Sequence, residues 1–337
     1  MVAMNQKQSA PKGGSKKKAW SRLRTKSQAT TQKKSMQSRL ILSPDAIKAM
    51  AAIGVFVLGI GIFLWWQFIF TDPQRVFEGM IKESLNSRSV TKITSQDTAN
   101  QSVEQINRLQ FGAQPAVVSR ATISQSGPVN ATVVTEEIGT VDRDYVRYVT
   151  IDTDEVGADG EPIDFSEIIG LWGISEVFSD EPEQGESFNE AVLGVIPFAS
   201  LPTSQQRELQ QLALDTGVYR IDLLGVTKQT VAGRPVYRYP VLLQPVAYIG
   251  YLKAVAAAMG LEQLETLDPA TFASVPEVRF EVEVDVLSRR PTAFYYANAT
   301  DRAEVVRSYD VVETVAIPEE VIPAQELQQR IQSIQQP

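Results

Sequence analysis

An uninterrupted apolar run near the N-terminus constrains this chain more than any other feature. Residues 49–66 contain no charged side chain, and after Gln67 the apolar character resumes through Phe70. At about 1.5 Å per residue, roughly 22 helical residues reach about 33 Å, which matches a bilayer hydrocarbon core of about 30 Å. The run therefore predicts a transmembrane signal-anchor helix over residues 46–70.

The residues that flank this run favour one orientation. Trp65 and Trp66 lie at its C-terminal end and Lys48 at the other, and these residue types prefer the membrane interface. A cleaved secretory signal is the alternative, but its apolar core has only about 7 to 15 residues and ends in small side chains. A buried core helix is also disfavoured by the length of the run. We expect a single-pass protein of the cell membrane with a cytoplasmic N-terminus and its C-terminal domain outside.

Charge is divided unequally along the chain. Residues 1–40 carry eleven basic side chains and no acidic one. Of the 32 basic and 40 acidic residues, twelve and one precede Thr71, which leaves 20 against 39 and a net charge of -19 beyond it. With few large apolar residues, residues 1–45 are predicted to form a disordered basic cytoplasmic tail that contacts anionic membrane lipids. Nucleic-acid binding is disfavoured, because Trp20 is the sole aromatic residue among these basic ones.

The chain has no cysteine and no histidine, which excludes disulfides, thiolate metal sites and the commonest general base. Residues 152–163 resemble a calcium loop, but Val156 and Ile163 occupy two of its ligand positions, so an exposed acidic loop is favoured. Ser89 and Lys92 match a Ser-x-x-Lys pattern, yet in a strand they would point to opposite faces. We expect no catalytic residue, no metal and no cofactor, and hence no enzyme.

Residues 71–325 are predicted to form one extracytoplasmic α+β domain, followed by a polar C-terminal helix or tail over residues 326–337. Alternation of apolar and polar residues indicates an antiparallel sheet, whereas helical spacing marks a smaller number of segments. Strands are predicted at 89–95, 116–124, 131–137, 145–151, 218–223, 236–243, 278–286, 293–298 and 303–312. Helices are predicted at 73–85, 204–215, 246–267 and 324–335.

The clearest hairpin covers residues 278–297. Its first strand alternates strictly, so we expect one buried and one solvated face. The buried set is Val278, Phe280, Val282, Val284 and Val286. The solvated set is Arg279, Glu281, Glu283 and Asp285.

Three segments of this domain resemble the bacterial lipoprotein-carrier fold, the LolA-like family with its LppX and LprG type relatives. They are the Gly-centred turn and strand VAGRPVYRYPVLL (231–243), the strand and Pro-containing return VEVDVLSRRPTAFYY (282–296), and the closing SYDVVETVAIPEEV (308–321). The resemblance implies a curved antiparallel half-barrel with helices on its concave face and an apolar cavity for acyl chains. The chain departs from the family in its predicted helical anchor, its lack of cysteine and the insert at residues 152–198.

From the resemblance we expect a ligand cavity between one helix and the sheet, although plain core packing is the alternative interpretation of each residue. The helix would contribute Ile249, Leu252, Val255 and Met259. The sheet would contribute Phe280, Val282, Val284, Phe294 and Tyr296. The expected function is non-catalytic binding of a lipid-like or apolar ligand by a membrane-tethered domain of the bacterial envelope. The alternative is an envelope scaffold or assembly protein that contacts other envelope proteins.

Overall fold

The structure is a computed structural model of the 337-residue chain. It describes residues 44–66, 70–112, 114–157, 160–175, 186–261, 267–296 and 302–335. The chain divides into two compact units, Met1–Phe56 and Val57–Pro337. The fold and the candidate site discussed below belong to the second unit.

Helix α1 spans Pro44–Trp65, and its side chains are described from Ile53 onward. Among the described residues, no helix is long and apolar enough to cross a membrane. The predicted single-pass transmembrane signal-anchor helix at 46–70, and the fold class that included it, are therefore wrong.

The other predictions for the N-terminal region have different outcomes. The disordered tail predicted for residues 1–45, its lipid contacts and the interfacial role of Lys48 concern side chains outside the described residues. Trp65 and Trp66 are half exposed, and the Trp66 ring stacks on the Phe70 ring with 4.6 Å between centroids. The predicted cytoplasmic orientation of the N-terminus stays a prediction.

The remaining elements are mostly strands. The helices are α2 (Pro73–Ser84), α3 (Glu186–Val192), α4 (Thr203–Asp215), α5 (Pro245–Met259) and α6 (Ala324–Gln335). The strands are β1 (Ser89–Asp97), β2 (Gln101–Gln110), β3 (Ala116–Gln125), β4 (Ala131–Thr140), β5 (Asp144–Thr153), β6 (Trp172–Ile174), β7 (Tyr219–Ile221), β8 (Thr227–Val231), β9 (Arg234–Leu243), β10 (Val278–Asp285), β11 (Pro291–Tyr296), β12 (Arg302–Tyr309) and β13 (Ile322–Pro323).

All of these strands belong to one large curved sheet with the order β13-β6-β5-β4-β3-β2-β1-β12-β11-β10-β9-β7, and β8 also pairs with β9. Every pairing between them is antiparallel except that of β13 with β6. The predicted α+β class and antiparallel curved sheet are confirmed in this form.

Helices α2 to α5 cover one face of the sheet, which we call the helix face. Helix α2 shows how the sequence builds this layer: Asp72 caps its first turn by accepting a hydrogen bond of 3.0 Å from the Arg75 amide. Val76, Met80 and Ile81 follow at helical spacing and are at most 1% exposed. They lie in the main core with residues of β9 and β10, and the helix predicted at 73–85 is present as α2.

The hairpin of β10 and β11 confirms the expected buried face from Phe280 to Val286, whose apolar side chains are at most 2% exposed. The prediction is wrong at Val278, the first residue of the buried set, which is 37% exposed at the start of β10. The prediction of a solvated opposite face is wrong at two positions, because Glu283 and Asp285 are buried. Asp285 accepts hydrogen bonds from the Leu287 and Ser288 amides at 2.9 and 2.7 Å, so its carboxylate is needed inside the turn.

Five of the strands and helices were not predicted, namely β2, β6, β8, β13 and α3. Strand β2 has a polar sequence, and the insert at 152–198 contributes β6 and α3. A second, smaller core joins this insert to α6, where Phe165 and Ile168 pack with Leu327. The helix predicted at Ala324–Gln335 is present as α6.

Candidate functional site

The nine residues predicted to line a ligand cavity are divided between helix α5 and strands β10 and β11. Val255 and the sheet residues Phe280, Val282, Val284 and Phe294 are at most 2% exposed and belong to the main core, and Met259 and Tyr296 are partly buried against it. Ile249 and Leu252 are at most 8% exposed but do not belong to this core. Seven of the nine therefore contribute to one packed core, and a ligand cavity between the nine stays a prediction.

Large aromatic residues fill the layer between helices and sheet. Phe188, Phe198, Tyr239 and Tyr251 are fully buried together with Phe280 and Phe294. The Tyr239 hydroxyl donates a hydrogen bond of 2.8 Å to the Pro73 carbonyl, which ties the start of α2 to β9. Burial is the main cause that raises the pKa of Tyr239, so this hydroxyl stays protonated and keeps donating. The helix face is thus closed by packing and by polar contacts.

A buried ion pair joins the sheet to α3. The Lys92 ammonium lies 3.4 Å from the Glu304 carboxylate and donates a hydrogen bond of 3.0 Å to the Ala191 carbonyl. Ser89 points to the other side of β1, where its hydroxyl donates to the Val311 carbonyl at 2.7 Å. Ser89 and Lys92 therefore lie on opposite faces, as the sequence predicted, and do not form a nucleophile–base pair.

The opposite face of the sheet, which we call the strap face, carries a segment without regular structure. We call residues 310–321 the strap: it connects β12, beside β1, with β13, beside β6, and so crosses β1 to β5. Residues of β2 and β3 that point away from the helices, Arg108 and Val118, line a cavity with strap residue Glu313. The strap thus covers part of a face that the helices leave open.

The strap is anchored at its beginning. Asp310 has a positive φ of 59° and accepts hydrogen bonds from the Arg88 amide at 2.9 Å and from the Arg290 guanidinium at 2.6 Å. Partial burial alone would raise the pKa of Asp310, but these hydrogen bonds outweigh it and lower the pKa overall. Further along, Glu313 pairs with Arg108 at 3.0 Å. Apart from the Asp310 amide, which donates a hydrogen bond of 3.0 Å to the Ser89 carbonyl, these contacts hold the strap through side chains.

A groove of about 830 Å³ lies along the strap, and we call it the main groove. Its walls are Arg88, residues of the β2–β3 loop (110–116), residues of the β4–β5 turn with Tyr145, and strap residues between Val312 and Ile317. Its volume falls within the range of about 300–1,000 Å³ that is usual for ligand pockets. Its volume exceeds those of the three other cavities described below.

Apolar side chains make up much of this groove. Phe111, Ala116 and Tyr145 contribute from the sheet, whereas Val312 and Ile317 contribute from the strap. Val312 is 65% exposed and Ile317 is 42% exposed. Isolated exposed apolar residues are common, but a contiguous apolar lining beside a groove is typical of a binding surface.

The main groove is lined by two basic residues, Arg88 and Arg143, and by two acidic residues, Asp142 and Glu313. Arg88 and Arg143 are exposed, and within the part of the chain that the structure describes neither guanidinium has a carboxylate at ion-pair distance. Asp142 also lines the groove, and Glu313 is neutralised by Arg108. Arg88 and Arg143 thus lack a close ion-pair partner in a region of net charge -19, although the charge of Arg88 also helps to lower the pKa of Asp310.

Two smaller cavities, of about 250 and 260 Å³, both include Arg108 and Glu313. In the second of them the Arg147 guanidinium lies over the Trp172 ring at 4.5 Å and pairs with Glu136. A further cavity of about 380 Å³ near β7 includes Phe280 from the predicted set. None of the other eight predicted cavity residues lines any of these four cavities.

Sequence reasoning missed the strap as a functional element. Residues 303–312 were predicted as one strand, whereas β12 ends at Tyr309. The signal was present in part, because the adjacent Val311 and Val312 break the alternation and Pro318 and Pro323 disfavour a central strand.

No protein-family model matches this chain, and no curated protein matches it. The resemblance to the LolA-like carriers stays a prediction.

Proposed function

We propose that this protein is a non-catalytic binding protein that recognises another polypeptide through the main groove. The observation that supports the proposal most directly is the apolar groove between sheet and strap, with Val312 and Ile317 exposed on its wall. Polypeptide interfaces combine such an apolar centre with a polar rim. Here Arg88 and Arg143 supply the rim.

The packing of the helix face favours this function over storage of an apolar ligand. An acyl chain between α5 and the sheet would have to displace side chains such as Val255, Val282 and Phe294, which are at most 1% exposed. Overpacking or opening such a core costs about 1–3 kcal/mol or more. The main groove needs no such rearrangement because it is already open.

Site-specific photocrosslinking of the full-length protein in its native cells tests the proposal. A benzophenone amino acid at Val312 should form adducts of discrete mass with a polypeptide, and Ile317→Asp should abolish them. The matched control is the same probe at Leu224, which is 98% exposed but lies far along the sheet, beside β9. Identical adducts at both positions, or none at Val312, would contradict the proposal.

A second measurement addresses the lipid alternative. Native mass spectrometry of the full-length protein should show no bound acyl lipid. Stoichiometric uptake of a fluorescent fatty acid that Val282→Trp blocks and Ile317→Asp leaves unchanged would replace the proposed function with ligand binding on the helix face.

A further inference from the structure

We infer that the main groove binds an extended polypeptide segment, which pairs its backbone with the strap and places acidic side chains near Arg88 and Arg143. This inference rests on the proposed function and specifies the chemistry of the partner. It is carried by three features of the groove: free backbone groups, an apolar lining and two separated cations.

The backbone of the strap is available for pairing. From Val312 to Ile317 no backbone hydrogen bond connects the strap to another of the described residues. These residues form neither helix nor turn, and the chain must extend to cross five strands. Exposed, unpaired backbone of this kind is a template for an added strand, as at the edge of a sheet.

The apolar lining fits alternate side chains of such a strand. A bound strand would direct every second side chain into the groove, towards Phe111, Val141 and Tyr145. The intervening side chains would face solvent. An extended partner therefore needs apolar residues at alternate positions only, which keeps its free form soluble.

The positions of Arg88 and Arg143 predict the spacing between two acidic residues of the partner. Arg88 immediately precedes β1, and Arg143 lies in the turn between β4 and β5, so three to four strand intervals separate them. At about 4.8 Å per interval the separation is roughly 14–19 Å, which an extended chain covers in about four or five residues. Asp142 offsets part of the charge beside Arg143, so the partner's anionic group must reach the guanidinium itself. The expected segment has two acidic side chains four or five residues apart, with apolar residues between them.

Charge complementarity selects this partner over a generic apolar peptide. The region beyond Thr71 has a net charge of -19 and repels most acidic segments. Acidic side chains of a partner can therefore bind only close to a cation that lacks an ion-pair partner, such as Arg88 or Arg143. The groove thus combines local attraction with general repulsion, which gives specificity.

Panning a displayed library of random twelve-residue peptides on the full-length protein tests this inference. Selected peptides should share the two acidic positions and the alternating apolar residues. For a synthetic peptide of that consensus, Arg88→Gln and Arg143→Gln should each weaken binding about threefold, and the double variant about tenfold, with the loss reduced at high salt. Arg207→Gln on α4 is the matched control, because Arg207 is exposed on the helix side, and it should leave binding unchanged.

Backbone pairing between the peptide and the strap can be tested separately, by methylating amides of the peptide. Alternate amides of a strand point to opposite edges, so methylating them in one register should abolish binding, whereas methylating the other register should leave it unchanged. Equal effects in both registers would overturn strand pairing with the strap.

The possible failures are distinguishable. Peptides that Ile317→Asp releases but that lack the acidic pair would overturn the inference and leave the proposed function standing. Failure to select any groove-directed peptide, together with no crosslink at Val312, would overturn both. A concentration-dependent dimer abolished by Val312→Asp would assign the groove to a second copy of this chain and would overturn the inference as well.

Discussion

On the helix face of the sheet, bulky side chains such as Phe188, Tyr239 and Phe294 are sealed under helices, whereas on the strap face Val311 and Val312 are more than half exposed. Both faces belong to the same strands, so strand propensity does not explain the difference. The helix face is covered by four helices that bury apolar side chains. The strap face is crossed by one segment held through ion pairs and side-chain hydrogen bonds. One face therefore stabilises the fold, and the other is left free to bind.

The largest effect should come from truncating an aromatic residue on the helix face. Phe280→Ala is expected to lower the free energy of unfolding by about 4 kcal/mol, because it removes a buried ring and leaves a cavity. Chemical denaturation followed by circular dichroism measures this. Val305→Ala on the strap face, where Val305 is 45% exposed, should change stability by less than about 0.5 kcal/mol. Similar losses of stability for both variants would contradict the difference in packing between the helix face and the strap face.

Breaking the buried ion pair should cost slightly less. Lys92→Met leaves the Glu304 carboxylate buried without its cation, which we expect to destabilise the protein by about 3 kcal/mol in the same assay. Adding Glu304→Leu should restore most of the loss. On the strap face, Arg108→Met breaks an exposed pair with Glu313 and should cost less than about 1 kcal/mol.

A pair of glycines tests how tightly each face is covered. A Cβ atom at Gly139 would lie 2.9 Å from the Phe188 amide nitrogen and from a Val117 methyl group, so Gly139→Ala should push α3 away and cost about 2 kcal/mol. Gly112, beside the main groove, has nothing within 4 Å of the same position. Gly112→Ala should therefore cause no loss in thermal unfolding, and equal shifts for both variants would contradict the closer packing of the helix face.

The smallest effect concerns the anchor of the strap and depends on pH. Because the folded-state pKa of Asp310 lies below its ordinary value of 3.8, the carboxylate stabilises the fold above that value and loses its contribution as the pH falls through the lowered pKa. Asp310→Asn should cost less than about 1 kcal/mol at pH 7, since the group is partly exposed, and nothing near pH 2. A constant difference between the two proteins across this range would rule out the proposed charge contribution. Asparagine is a suitable replacement because it tolerates the positive φ.

Most of the packing of the helix face could be predicted from the sequence, but little of the strap face could. Alternation from Phe280 to Val286 and the helical spacing of Val76 and Met80 are local patterns, and local burial follows them. The main groove instead depends on segments far apart in sequence, such as Arg88 and residues 140–145, which meet only through strand order. No local sequence pattern predicts that these segments come together in the fold.

Two charged residues of the hairpin show where a local pattern fails. Glu283 and Asp285 were assigned to solvent because charged residues usually avoid burial, but neighbouring hydrogen-bond donors make their burial acceptable. One of these donors, the Tyr295 hydroxyl, belongs to β11, so the pattern of β10 alone does not predict it.

The path of the strap also has a consequence for how the molecule is made. Ile322 of β13 pairs with Gly173 of β6, so a contact between distant parts of the chain completes the sheet edge. During synthesis the strands β1 to β6 leave the ribosome before the strap exists, and N-terminal structure generally forms first. The wall that Val312 and Ile317 give to the main groove is therefore added after these strands, so the chain can acquire the capacity to bind only once the strap has been synthesised.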